Sequence, residues 1–136
     1  MHRMNDPLVT IRLDANGRVY RPGETLSGEY RVDAVRLGEI RALEVSVLWY
    51  TEGKGDEDLA VHDFRRLPAE EDQESDLGQP GRFSTVLPNS PLSYDGQIVK
   101  IRWCVRVRVF LTRGKEVVGE KAFQLGYVPA TKAVVV

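Results

Sequence analysis

Ile98-Val99-Lys100-Ile101-Arg102-Trp103-Cys104-Val105-Arg106-Val107-Arg108-Val109-Phe110-Leu111-Thr112 is the stretch on which the fold turns. Val99, Ile101, Trp103, Val105, Val107, Val109 and Leu111 share one phase of a two-residue period. Lys100, Arg102, Cys104, Arg106, Arg108 and Phe110 share the other. So long an alternation, rich in β-branched residues, predicts a half-buried strand and excludes a helix. Arg113-Gly114-Lys115 then reads as a short turn, and Glu116–Leu125 returns as a strand with Val117, Phe123 and Leu125 inward, completing a hairpin.

Working toward the N-terminus, residues 41–52 give a second long alternation. Leu43, Val45, Val47 and Trp49 lie on one face, and Glu44, Ser46, Leu48, Tyr50 and Glu52 on the other. Arg82–Leu87 reads as a strand with Phe83, Thr85 and Leu87 inward, stopped by Pro88-Asn89-Ser90-Pro91. Leu8–Leu13 alternates and ends at Asp14-Ala15-Asn16-Gly17. Arg21-Pro22-Gly23-Glu24 suits a type II turn. Beyond it Leu26, Gly28, Tyr30 and Val32 share a face, and Gly28 there predicts a bulge or a close approach of the opposing sheet. Ala60–Leu67 is ambiguous: Val61, Phe64 and Leu67 are three apart, which suits a helical turn or a bulged strand. About seven strands with no long helix predict an all-β, immunoglobulin-like antiparallel β-sandwich, with Trp49, Trp103, Phe83 and Phe123 as its bulky core.

At 136 residues the chain suits one domain spanning 1–136. Residues 1–7 and 129–136 read as flexible or edge-pairing termini, and 53–58 and 69–79 as acidic loops. The net charge of −1 hides an uneven distribution. Glu52–Asp76 holds ten acidic residues against Lys54, Arg65 and Arg66, a net of −7, so the remainder carries +6. The near-zero total removes the electrostatic footprint of nucleic-acid binding. No apolar run approaches the roughly 20 residues of a membrane span. The first residues lack the apolar core of a signal peptide, which predicts a cytoplasmic protein.

Catalytic chemistry finds little support. Cys104, between Arg102 and Arg106, is either a thiol activated by neighbouring cations or a small residue tolerated on a strand; the strand centre favours the second. His62-Asp63 resembles a base with its orienter, but adjacent strand residues point to opposite faces. His2 falls in the terminus. The acidic runs lack the spacing of an EF-hand loop, and one cysteine with two histidines leaves little for a zinc site. No catalytic residue, metal or cofactor is expected.

The stretch Val19-Tyr20-Arg21-Pro22-Gly23-Glu24-Thr25-Leu26-Ser27-Gly28 resembles the Y-x-P-G-E-x-h-x-G opening of arrestin-like domains. Phe83-Ser84-Thr85-Val86-Leu87-Pro88, Pro91-Leu92-Ser93-Tyr94-Asp95-Gly96 and Ile101-Arg102-Trp103 resemble the second signature of the same superfamily, with Thr85 where an aromatic is frequent and Trp103 where a tyrosine is frequent. Spacing and order agree over about residues 8–125. The resemblance implies an arrestin-like sandwich related to the retromer arrestin-like subunit and bacterial sporulation-control proteins, and a scaffold or adaptor rather than an enzyme. Such proteins usually carry two sandwiches, and this chain resembles the first. The matched residues are turn and core positions, so they imply a fold and no binding site.

The candidate partner-binding residues come from the polar phase of the two long strands: Lys100, Arg102, Arg106 and Arg108, with Leu48, Tyr50 and Phe110 as an apolar patch among them. Glu44 and Glu52 across the ladder would pair two of the four cations. The remainder fall to the acidic 52–76 segment or to an external protein partner. Lys132-Ala133-Val134-Val135-Val136 could add to a sheet edge in the same chain or in a homodimer. The rival classes are a ligand- or cation-binding domain, which needs a deep polar pocket, and a structural subunit of a larger assembly.

Overall fold

The strong alternation of residues 98–112 becomes the centre of the larger of two sheets. A computed structural model describes residues 6–36, 38–55, 57–68 and 77–126. The described residues form strands β1 (Leu8–Leu13), β2 (Val19–Tyr20), β3 (Thr25–Asp33), β4 (Ile40–Gly53), β5 (Leu59–Leu67), β6 (Gly81–Val86), β7 (Tyr94–Asp95), β8 (Val99–Leu111) and β9 (Glu116–Leu125). The small sheet has the order β1-β3-β6. The large sheet runs β2-β9-β8-β4-β5, with the two-residue β7 also paired to β8. The fold is therefore an all-β sandwich, antiparallel throughout except for the short β2–β9 pair. The seven long strands are those expected, and β2 and β7 add two short ones.

Val105, Val107 and Val109 of β8 are fully buried, and Trp103 nearly so, in one cluster with Val9, Ile11, Leu26, Tyr30 and Val32 of the small sheet. Burying each such side chain contributes roughly 1.5–3 kcal/mol before entropy is subtracted. Trp103 and Phe83 are core residues as predicted, whereas Trp49 and Phe123 are only partly buried against the cluster. Tyr20 takes a place in the core that the alternation did not assign. Its ring meets Phe123 edge-on at 5.8 Å, and Phe123 tilts against Trp103 at the same separation. The Trp103 indole N–H donates to the Pro91 carbonyl at 2.8 Å, which satisfies its one polar atom inside the core.

The Arg21–Glu24 turn has the predicted type II form. Glu24 N donates to Arg21 O at 3.1 Å, and Gly23 sits at φ +83°, where an L side chain would be strained. Gly23 N and Leu87 O, then Leu87 N and Glu24 O, bond at 3.0 and 2.9 Å and tie the turn to the end of β6.

One expectation changes and one open alternative is settled. Gly28 marks no bulge, since β3 keeps regular register with both neighbours. The close approach comes instead from both neighbours in the same sheet: a Cβ on Gly28 would lie 2.5 Å from the Arg12 carbonyl of β1 and 2.7 Å from Phe83 Cζ of β6. Ala60–Leu67 resolves as a strand with a bulge and not as a helical turn. Asp63 pairs with Val47 and Val61 with Leu48, so β5 carries one extra residue there. The bulge resets the alternation, which is how Val61 and Phe64, three apart, reach the same face.

Candidate interaction face

The outward face of the large sheet is built by the register of β5, β4, β8 and β9. Across it run Val61–Leu48–Cys104–Ala122, then Phe64–Ser46–Arg106–Glu120, then Arg66–Glu44–Arg108–Val118. On this face stand all seven residues singled out from sequence, but at different depths. Leu48 and Cys104 are 1% and 2% exposed, buried at the middle of the face with Ser46, while Tyr50 and Phe110 are half-buried. Leu48 is thus beneath the surface rather than part of it: it occupies a central strand, flanked in register by Val61 and Cys104, with longer side chains around them.

Each of the four cations has a carboxylate partner. Arg102 Nε lies 3.2 Å from Glu52, Arg106 Nε 2.7 Å from Glu120, Arg108 Nε 2.8 Å from Glu116, and Lys100 Nζ 3.4 Å from Asp95. Glu44 bridges Arg66 at 2.6 Å and Arg108 at 3.6 Å. The hydrogen bond from Arg108 holds the Glu116 carboxyl below its ordinary range and pushes the guanidinium up. Arg66 and Arg108 both stand over the Phe110 ring, at 5.3 and 5.2 Å from its centroid.

Glu116 and Glu120 of β9 were missed by the sequence reading, which looked to the acidic 52–76 segment for the missing partners. Among the described residues of that segment, Glu52 is the one carboxylate in these pairs. The signal available was the hairpin: its tight turn fixes Arg106 opposite Glu120. Residues 56 and 69–76 of the acidic loops lie outside the described residues, as do 1–5 and the 127–136 tail with its valines.

Also missed were exposed apolar side chains on the same face: Leu59 at 55%, Val61 at 50%, Phe64 at 53% and Val118 at 47%. Leu59 pairs with Tyr50 and Phe64 with Ser46, so β5 extends the apolar surface outward from β4. The face therefore offers apolar side chains among self-neutralised charges.

The remaining chemical candidates take these positions. Burial, with the Glu120 charge second, pushes the Cys104 thiol up from 9.0 to about 11, the opposite of the environment that activates a nucleophile. His62 and Asp63 do not follow the simple alternation expected of them, because His62 is the extra residue of the β5 bulge. His62 Nε2 donates to the Val86 carbonyl at 2.7 Å, and its ring meets Trp103 edge-on at 6.1 Å. A cleft of about 340 Å³ opens beside β8 between β7 and the end of β9, lined among others by Tyr94, Asp95, Arg102 and Trp103. Its two charged residues are those paired with Lys100 and Glu52. No described helix is long and apolar enough to cross a membrane.

Comparison with solved structures gives a clear fold relative. Spo0M, the sporulation control protein from Bacillus subtilis, is similar at a TM-score of 0.61 and 15% identity, over 90% of this chain and 50% of that one. The fold is arrestin-like. The chain spans about half the length of Spo0M, and at this identity the likeness concerns the fold alone. A superoxide reductase (neelaredoxin) from Ignicoccus hospitalis is similar at a TM-score of 0.49 and 10% identity, over 86% of this chain and 80% of that one, too distant to carry an argument. No protein-family description and no curated protein matches the chain.

Proposed function

We propose that this chain is a non-enzymatic protein-interaction module of the arrestin-like superfamily, a cytoplasmic adaptor that engages a protein partner through the outward face of its large sheet. The observation that carries the reading is the exposed set Val61, Phe64 and Val118, beside half-buried Tyr50 and Phe110, on a face whose cations are matched by carboxylates of the same chain. Apolar side chains ringed by paired charges suit a protein surface. The cations then act as a rim that sets orientation more than affinity. Arg102 and Lys100 each remain about two-fifths exposed and can exchange their internal carboxylates for those of a partner.

A photo-crosslinking phenylalanine analogue at Val118, in the native cell, tests this. The control places it at Arg12, exposed on the outward phase of β1 in the small sheet. Discrete adducts at position 118 and none at position 12 are expected. Equal adducts at both, or none at either, would overturn the assignment.

A further inference from the structure

β5 ends the large sheet, and its outer edge pairs with no described strand. Free edges are ordinarily blocked by bulges and by charges turned inward. β5 has both: the bulge at His62-Asp63, and Asp63 and Arg65 on the inward phase beside Val45 and Val47. These features obstruct an arbitrary strand, and all of them lie to the C-terminal side of Val61.

We propose that β5 pairs antiparallel with β5 of a second copy of this chain, across a two-fold axis at Val61. Counting the bulged His62-Asp63 as one position, this register sets Val61 against itself, Ala60 against the bulge, and Leu59 against Phe64. Asp58 then faces Arg65, and Glu57 faces Arg66. Every pair joins residues of the same phase. Leu59, Val61, Phe64 and Arg66 lie on the outward phase and Arg65 on the inward one. Asp58, whose carbonyl accepts from Thr51 N at 2.9 Å, continues the pairing by one residue on the inward phase, and Glu57 precedes it. A two-fold contact must be self-complementary, and residues 57–66 meet that condition in charge: Glu57 and Asp58 just before β5 are acidic, Arg65 and Arg66 near its end are basic, and Leu59, Val61 and Phe64 between them are apolar.

The state of these charges in the single chain points the same way. The cations of β8 are all matched within the chain. Asp58, Glu57 and Arg65, by contrast, form no ion pair with any described residue. Arg66 reaches Glu44 with a side chain still 56% exposed, so it can serve both. Leu59, Val61 and Phe64 are each at least half exposed and would be covered by their counterparts. The bulge of each copy sits opposite small Ala60, which makes this register specific where other strands would be refused. The proposal shares Val61 and Phe64 with the face assigned to a partner, and its charge tests rest on Asp58 and Arg65, which that face does not use.

Sedimentation or light scattering of the full chain, over rising concentration, should show a species of twice the 15.3 kDa monomer. Asp58→Lys and Arg65→Glu should each weaken association about tenfold or more, since each places like charges opposite one another twice. Mixed one to one, the two variants should associate again, because each supplies the charge the other has reversed. Val61→Cys should form an intermolecular disulfide on mild oxidation faster than Val118→Cys, and this exposed position does not put the fold at risk. A chain that stays monomeric at all concentrations, a dimer indifferent to both charge variants, a mixture that does not recover, or equal oxidation at 61 and 118 would each overturn the proposal.

Discussion

Tyr30 lies directly across Gly81, paired in register between β3 and β6, with its ring where any side chain on Gly81 would have to go. Two positions along, the relationship is reversed: Phe83 covers Gly28, and Gly28 and Phe83 are likewise a register pair. Each aromatic fills the gap left by the opposite glycine, so the small sheet gains core bulk without gaining thickness. Gly28→Ala should destabilise the protein by about 1–3 kcal/mol through overpacking, and Gly81→Val by at least as much. Denaturant midpoints measured with unchanged slope would establish this. Substitution without loss at both positions would remove the account of the small sheet.

Trp103 anchors the other layer. Trp103→Phe keeps an aromatic in the core but removes the donor to the Pro91 carbonyl and some buried volume. A loss of about 2–4 kcal/mol is expected, read from urea unfolding. Near-neutral behaviour would show that the indole hydrogen bond does not hold the 88–93 segment to β8.

Cys104 gives a prediction about reactivity and one about pH. Its thiol should resist Ellman's reagent in the native state at pH 8 and react promptly in denaturant. Its folded pKa is raised above the ordinary 9.0 to about 11, so the protein prefers the protonated thiol. The resulting stability is complete below pH 9 and declines as pH rises toward 11. Burial pushes the Tyr30 phenol up as well, with the same sign. Cys104→Ala should flatten the alkaline fall in melting temperature; an unchanged alkaline limb would contradict this.

The paired charges of the large sheet should matter little to stability. Glu44→Gln removes the shared partner of Arg66 and Arg108, both still exposed, and a cost below about 1 kcal/mol is expected. On the acid side the sign is opposite to that of Cys104. Arg108 holds Glu116 below its ordinary range, so its contribution is present above the unfolded pKa and disappears as pH falls through the folded one. Glu116→Gln should therefore reduce the acid sensitivity of unfolding, and 1 M salt should do part of the same.

The sandwich was legible where period and turn chemistry act locally. β8 declares itself by strict alternation, and Pro22-Gly23 meets the conformational demand of its turn at φ +83°. Legibility failed where structure depends on register between distant segments. The three-residue spacing left a helical turn and a bulged strand both open, and the register with β4 is what makes His62 the extra residue and puts Val61 and Phe64 on the outward face. Leu48 has the phase of a surface residue but lies mid-sheet, where its neighbours close over it. The matching of Arg106 by Glu120 was readable in principle, from a hairpin whose turn had been identified. Its omission made the basic strand seem short of partners.

The central claim is that recognition uses the outward face of the large sheet. Affinity purification from the native cell should compare the unaltered chain with Val118→Glu and Tyr50→Ser, and with Arg12→Ser on the small sheet as control, at matched melting temperatures. The account predicts that proteins retained by the unaltered chain and by Arg12→Ser are lost from the Val118 and Tyr50 variants. A partner set unchanged by both, or lost only with Arg12→Ser, would contradict it.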